Sequence, residues 1–318
     1  MHRTPYIDWS KDVEAISTKF KNHWKELSDE GYIFVLQHVR GRYGSQGEYV
    51  IYRGVRDRED PKSIDDSTDT FDTIEWLLHN VPDSNGKVGI IGVSNPGAIA
   101  ALALIDPHPA LRAVSPQGPA SFQFTGDDFF HNGAFSLAPN YAYSQWSMWK
   151  PELDSEDEDL VGYAFDDRYE FFLRLGSLAN VNKKYFNNEY GTWDLLTSHL
   201  TFDSFWKRRE IDKHIQPTNI PTLVVGGYYD SQDQKGAFGV FEALKTSDKS
   251  HVVHLVVGPW LHGGWRDEGR RLGKLDFDTA TGDVYRATIQ APFFSHHLKG
   301  KGDLDFGEAL MFQTGTNR

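Results

Sequence analysis

A serine lies between two glycines where an apolar stretch gives way to small residues, in the run Gly92-Val93-Ser94-Asn95-Pro96-Gly97. Residues 87–91 before it predict a strand, and the alanine-rich residues 98–104 after it predict a helix. A serine at a sharp strand-to-helix turn projects its hydroxyl above the sheet, where it can act as a nucleophile. A glycine-flanked turn without chemistry is the alternative explanation. Ser94 is therefore a candidate nucleophile whose partners must lie elsewhere in the chain.

Two further groups follow later predicted strands and could complete a catalytic triad. Asp230 comes after the strand predicted at 222–228, and His262 follows the strand predicted at 252–257. Both strands are almost continuously apolar, which indicates a parallel sheet buried on both faces. The carboxyl ends of parallel strands meet at one edge, so we expect Ser94, Asp230 and His262 to converge there. His262 would take the serine proton and Asp230 would orient the imidazole. The alternative is a helix-capping aspartate and an ordinary loop histidine.

The composition restricts the partners and sites that are open to this chain. Its 318 residues include 33 Lys and Arg against 45 Asp and Glu, and the net charge of −12 disfavours nucleic acid and anionic membranes. The absence of cysteine excludes disulfides, thiolate metal sites and a cysteine nucleophile. No apolar run approaches the roughly 18 residues of a membrane span, and no signal peptide is recognisable, so the compartment stays open. We expect no metal and no cofactor, because no histidine pair has metal-ligand spacing and no nucleotide-binding glycine motif is present.

The elements around these residues predict an α/β fold with a mostly parallel, doubly wound sheet. Strands are predicted at 32–39, 87–93, 111–115, 222–228 and 252–257, and helices at 13–27, 65–80 and 284–298. Within the second helix, Phe71, Ile74, Leu77 and Leu78 should share the buried face, after capping residues at 65–67. Residues 120–216 hold no convincing buried strand and are rich in aromatic and acidic side chains, which predicts a helical cap. The expected domains are therefore a core in two parts, 1–119 and 217–318, with the cap at 120–216 between them.

Several separate runs resemble one family of serine hydrolases, which contains α-amino acid ester hydrolases, cocaine esterase and X-Pro dipeptidyl-peptidases (the CocE/NonD family). The resemblance covers essentially the whole chain and is greatest for the α-amino acid ester hydrolases. It is carried by GRYGSQG at 41–47, DTFDTIEWL at 69–77, DPHPAL at 106–111, GDDFF at 126–130 and GPWLH at 258–262. It implies the α/β-hydrolase fold and a reaction through an acyl-enzyme.

The resemblance also implies an oxyanion hole. The nucleophile, acid and base of the family fall on the three triad candidates. The donors to the oxyanion fall on the backbone N–H of Asn95, directly after the serine, and on the hydroxyl of Tyr6, which closes a Pro-Tyr pair. Asn95 departs from the family, which has a tyrosine there; the change should keep the backbone donor and alter the pocket wall.

A carboxylate cluster that binds a substrate α-ammonium is a further implication of the resemblance. Its positions correspond to Asp128, Gln232 and Asp233, and buried carboxylates would pair with a primary ammonium. Helix caps and surface acids are the alternative explanation. Gln232 replaces a carboxylate of the family, which lowers the negative charge and should weaken selectivity for the ammonium.

The expected activity is that of a serine hydrolase or acyltransferase acting on α-amino acid esters or related β-lactam amides. A general carboxylesterase and an X-Pro dipeptidyl-peptidase are the alternatives within the family, and a small-molecule ester or amide is the expected partner. The family has strands before the position of Tyr6 and a jelly-roll domain after the hydrolase domain. We expect both to be absent, because the chain opens at Met1 and stops at Arg318. A non-catalytic truncated scaffold, stable as a homo-oligomer, is the alternative of another class.

Overall fold

A parallel sheet forms the centre of the computed structural model, which describes residues 1–6, 18, 23–126, 128–148 and 167–318. Its strands are β1 His2–Thr4, β2 Leu36–His38, β3 Val88–Ser94, β4 Leu111–Pro119, β7 Thr222–Gly227, β8 Val253–Gly258 and β11 Ala309–Met311. Five of them follow the order β11-β8-β7-β4-β3, and β1 pairs with β2. The Met1 amino group donates to the Gly89 carbonyl, and the Ile91 N–H donates to the Met1 carbonyl, which places β1 beside β3. Every pairing between these strands is parallel.

Two short antiparallel hairpins and a set of helices complete the described chain. The hairpins are β5 Phe130–His131 with β6 Ala134–Phe135, and β9 Arg271–Leu272 with β10 Leu275–Asp276. The helices are α1 Lys25–Ser28, α2 Asp66–Asn80, α3 Asn95–Leu102, α4 Leu137–Met148, α5 Arg168–Leu175, α6 Ala179–Val181, α7 Gly191–Thr197, α8 Ser204–Lys207, α9 Gln234–Lys245, α10 Thr281–Tyr285 and α11 Ala291–Phe294. Within the described ranges, no helix is both long enough and apolar enough to cross a membrane.

The α/β architecture and most of the strands agree with the sequence pattern. The strand predicted at 32–39 is shorter than expected. Strand β11 was not predicted, because a run of three residues is too short to show a strand pattern. The helix predicted at 284–298 is continued by wide π turns at Arg286–Gln290 and Ser295–Lys299. Of the helix predicted at 13–27, Ile16 and Phe20 lie outside the described residues.

Helix α2 begins as predicted and shows one error in the predicted face. Asp65 is its N-cap and accepts hydrogen bonds from the backbone N–H groups of Ser67 and Thr68. Ile74 and Leu77 are buried, but Phe71 is 38% exposed and its ring packs edge-on against His108. The buried face turns toward Thr70 instead, because the Arg3 guanidinium donates to the Thr70 hydroxyl at 2.9 Å.

Residues between β4 and β7 form short helices and a hairpin with an aromatic cluster of their own. This cluster contains Tyr141, Phe171, Leu175, Val181, Phe186 and Trp193, all buried. Residues 127 and 149–166 of this segment lie outside the described part of the chain. The role of 120–216 as a cap, and the domain boundaries on either side of it, stay predictions.

Candidate active site

Ser94 ends β3 in a backbone conformation that a side-chain-bearing residue rarely adopts. Its φ is 67° and its ψ is −127°, and helix α3 starts at the next residue. The glycines on both sides are required by close backbone contacts: a Cβ at Gly92 would lie 2.1 Å from the Pro96 carbonyl oxygen, and one at Gly97 would lie 2.5 Å from the Gln117 carbonyl oxygen. A conformation of this kind costs about 1–3 kcal/mol and is retained where the surrounding structure enforces it. The turn therefore has the geometry of a nucleophile elbow.

Asp230 and His262 are hydrogen-bonded to each other beyond the ends of β7 and β8. The Asp230 Oδ2 lies 2.8 Å from the His262 Nδ1. The other carboxylate oxygen accepts the backbone N–H groups of Gln232 at 2.9 Å and Asp233 at 3.0 Å. Burial raises the pKa of Asp230, but the His262 hydrogen bond and charge and the two backbone donors outweigh it, so the pKa lies below the ordinary value. Asp230 is therefore an ionised carboxylate that can orient the imidazole.

The end of β4 connects this pair with Ser94. Ser94 is in register with Pro119, and the preceding Gly118 has a φ of 43°. A Cβ added at Gly118 would lie 3.3 Å from the Asp230 Oδ2 and 3.4 Å from the His262 Cε1. The Ser94 turn and the Asp230–His262 pair therefore both lie beside the end of β4. That the three residues form a catalytic triad stays a prediction.

The two residues predicted for the oxyanion hole also lie at this edge. Asn95 is buried at the first turn of α3, where backbone N–H groups lack partners within the helix. The Tyr6 hydroxyl lies 2.9 Å from the Tyr143 hydroxyl, and the Tyr6 ring lies 4.3 Å from that of Trp146. Burial raises the pKa of Tyr6 well above its ordinary value, so its hydroxyl keeps its proton and can donate a hydrogen bond.

The three residues of the predicted carboxylate cluster differ in their burial and in their contacts. Asp233 is 2% exposed, and its Oδ2 lies 3.7 Å from the His262 Nε2. Asp128 is partly buried, and its charge and that of Asp233 both contribute to the raised pKa of Tyr6. Both carboxylates therefore lie within electrostatic range of Tyr6, and Asp233 also lies beside His262. The side chain of Gln232 is exposed, and its predicted role in substrate binding stays a prediction.

A buried polar network beneath the histidine loop was missed by the sequence analysis. The Trp265 indole donates to the Gln117 Oε1 at 2.7 Å, and the Gln117 amide donates to Tyr285 and Gln290 at 3.1 and 2.9 Å. Arg286 donates to the carbonyl of Trp265 at 2.8 Å. The one available signal was a glutamine within the apolar run of β4, since a buried polar side chain requires partners.

Comparison with known proteins places this geometry among hydrolases. The sequence is 26% identical to cocaine esterase from Rhodococcus sp. (strain MB1 Bresler), over 95% of this chain and 50% of that protein. The structure superposes on an α-amino acid ester hydrolase with a TM-score of 0.88 and 33% identity, covering 100% of this chain and 52% of that one. An aminopeptidase from a marine sediment Thaumarchaeota archaeon gives a TM-score of 0.88 and 36% identity, with 100% and 52% coverage. The chain thus spans about half the length of these relatives.

These superpositions confirm the predicted α/β-hydrolase fold and the resemblance to the CocE/NonD family. A CocE/NonD family hydrolase from Staphylococcus aureus, at 17% identity and a TM-score of 0.55, shares the fold. The sequence model of the X-Pro dipeptidyl-peptidase (S15) family matches residues 1–264, which include all three triad candidates. The chain belongs to the X-Pro dipeptidyl-peptidase (S15) family.

Proposed function

We propose that this chain is a serine hydrolase that acts through an acyl-enzyme on α-amino acid esters or related amides. The observation that supports the proposal is that the strained Ser94 turn and the hydrogen-bonded Asp230–His262 pair both lie beside the end of β4. Family membership supports the same chemistry, since its relatives include an esterase, an ester hydrolase and an aminopeptidase.

The reaction follows from the positions of these groups. The Ser94 Oγ attacks the substrate carbonyl carbon while its proton passes to the His262 Nε2, and the carbonyl oxygen becomes an oxyanion. The Asn95 backbone N–H and the Tyr6 hydroxyl stabilise that oxyanion, and Asp230 stabilises the imidazolium. Collapse breaks the bond to the leaving group, which takes the proton from His262. Water, or an acceptor amine, then attacks the acyl-enzyme with His262 as base, and Ser94 is regenerated.

Asp233 and Asp128 form the proposed recognition site for the substrate ammonium. Because the Asp233 Oδ2 lies 3.7 Å from the His262 Nε2, an ammonium paired with it would be next to the reacting carbonyl. An acyl group without that charge would forgo a charge-assisted contact with the carboxylate. The names of two relatives, an α-amino acid ester hydrolase and an aminopeptidase, both describe action on aminoacyl groups.

The experiment compares L-phenylalanine methyl ester with its N-acetyl derivative. We expect acetylation to lower kcat/KM by about 100-fold in the wild type, because it removes the charge that the carboxylates bind. Asp233→Asn and Asp128→Asn should each lower kcat/KM for L-phenylalanine methyl ester. The ratio of kcat/KM between this ester and its N-acetyl derivative should therefore become smaller. Asp72→Asn, which changes an exposed acid outside the site, is the matched control. Equal rates on both esters would remove the ammonium from the proposal and favour a general carboxylesterase.

The second candidate is an X-Pro dipeptidyl-peptidase, which the description of the matching family favours. Alanyl-proline p-nitroanilide in the same assay distinguishes it, since this candidate predicts release of the dipeptide and not of single aminoacyl groups. Ser94→Ala should abolish turnover of every substrate in the panel. Activity that persists in this variant would contradict both candidates.

A further inference from the structure

Helix α4 contacts the predicted oxyanion tyrosine at two points. Its residues Tyr143 and Trp146 are three positions apart, so they share one helix face. The Tyr143 hydroxyl lies 2.9 Å from the Tyr6 hydroxyl, and the Trp146 ring lies 4.3 Å from the Tyr6 ring. The start of the helix is fixed by Asn140, whose amide donates to the Phe129 carbonyl at 2.7 Å. Tyr6 is thus held by an element that comes 137 residues later in the chain.

The direction of the hydrogen bond between the two hydroxyls decides what Tyr6 can do. A phenol has a single O–H to donate and can accept from other donors. If Tyr6 donated to Tyr143, it would have no proton to offer an oxyanion. If Tyr143 is the donor, the Tyr6 oxygen accepts and its own O–H remains available to an oxyanion.

We propose that Tyr143 is a positioning residue for the oxyanion hole: it donates to the Tyr6 oxygen and so directs the Tyr6 O–H toward the substrate. A donor that itself accepts a hydrogen bond is polarised, and it becomes a stronger donor to a developing negative charge. Through Tyr143, the segment between β4 and β7 then helps to orient the oxyanion donor. This inference rests on the proposed function, because it presumes that Tyr6 stabilises an oxyanion.

The test is a double-mutant cycle of Tyr143→Phe and Tyr6→Phe, with the rate of Ser94 labelling by a fluorophosphonate as the readout. Labelling requires no knowledge of the natural substrate, and its saturation separates the maximal rate from the affinity for the probe. We expect Tyr143→Phe to lower the maximal rate about five- to tenfold with the probe affinity within twofold. In the Tyr6→Phe background the same change should have no further effect, since Tyr143 acts only through the missing hydroxyl.

The matched control is Tyr49→Phe, which removes a neighbouring buried hydroxyl that has no hydrogen-bond partner among the described residues. We expect it to leave the labelling rate unchanged. As a second variant, 3-fluorotyrosine at position 143 preserves the shape and strengthens the donor, so the rate should equal or exceed that of the wild type. This variant decides the question if Tyr143→Phe does not fold.

Two results would overturn the inference while leaving the proposed function intact. The first is an unchanged maximal rate in Tyr143→Phe, and the second is a reduction that multiplies with that of Tyr6→Phe. A slower rate with 3-fluorotyrosine would count against it equally. Wild-type protein that is folded but not labelled at Ser94 would instead overturn the proposed function, and this inference with it.

Discussion

Hydrogen bonds to backbone and buried side chains hold the Asp230–His262 side of the candidate site, whereas aromatic side chains hold the Tyr6 side. Asp230 accepts two backbone N–H groups of its own turn, and the loop after His262 is tied to β4 through Trp265 and Gln117. Tyr6 follows β1, and its hydroxyl and ring meet two side chains of α4. One half of the site thus depends on the core of the sheet, and the other half depends on contact between distant segments.

This difference has consequences for both chemistry and stability. Hydrogen bonds within a buried network fix the imidazole to a single orientation, because any displacement leaves a buried polar group without its partner. Aromatic contacts are less directional, so the Tyr6 side should tolerate changes of shape and respond mainly to the loss of a hydroxyl. Substitutions on the two sides should therefore lower the activity independently and by different amounts.

The largest effect is expected on the His262 side. Asp230→Asn should lower kcat by about 10⁴-fold, because the amide cannot stabilise the imidazolium and favours the wrong tautomer. Circular dichroism and urea unfolding would establish that the fold is retained. A loss of less than about 10-fold in a folded variant would mean that Asp230 does not serve His262 in the reaction.

The Tyr6 side should give the next largest effect. Tyr6→Phe removes one oxyanion donor and leaves the ring against Trp146, so kcat should fall by about 10²–10³-fold with little change in KM. Steady-state kinetics on the best substrate would measure both constants. A rise in KM with kcat unchanged would instead assign Tyr6 to ground-state binding.

As the pH falls, the protein should lose stability first through the titration of His2, on the strand that precedes Tyr6, and only at lower pH through that of Asp230. Burial lowers the pKa of His2 to about 4, a backbone hydrogen bond to Ile91 partly opposes this, and the Met1 ammonium and Arg266 lower it further. The folded protein keeps His2 neutral while the unfolded chain binds a proton, so stability is lost as the pH falls from about 6.5 to 4, by up to about 3 kcal/mol. Asp230 has a lowered pKa, so its contribution is present above about pH 4 and is lost only below it.

Urea unfolding across pH 4–7 tests this order. In His2→Gln the slope of the unfolding free energy between pH 6.5 and 4 should flatten, whereas Asp230→Asn should change only the region below about pH 4. A slope in His2→Gln equal to that of the wild type would assign the acid sensitivity to other groups.

The smallest effect is expected for the network beneath the histidine loop. Trp265→Phe removes the donor to the Gln117 Oε1 and should cost about 1–3 kcal/mol of stability, with a several-fold loss of activity. Trp206→Phe is the matched control. Trp206 lies on α8, is as buried as Trp265, and donates its indole N–H to the His199 carbonyl. Both variants should be destabilised, and only Trp265→Phe should label more slowly at Ser94. Equal labelling rates would mean that the network stabilises the fold without positioning His262.

The sequence predicted the His262 side of the site better than the Tyr6 side, for a physical reason. A strand that ends at Ser94, and strands followed within a few residues by Asp230 and His262, are local patterns. The ends of parallel strands converge whatever lies between them. The contact between Tyr6 and Tyr143 joins segments with no shared pattern, and Tyr6 itself was found only through resemblance to a family. The exposed Phe71 shows the same limit within one helix: periodicity placed it inward, and the polar contact of Arg3 with Thr70 turned the face.

Labelling of the intact chain with a fluorophosphonate, followed by peptide mapping, tests the central claim most directly. An adduct on Ser94 that is lost in His262→Ala, with both proteins folded by circular dichroism, is the predicted result, since the probe reacts only with an activated serine. No adduct on folded wild-type protein, or an adduct that is unaffected by His262→Ala, would contradict the assignment of a working triad.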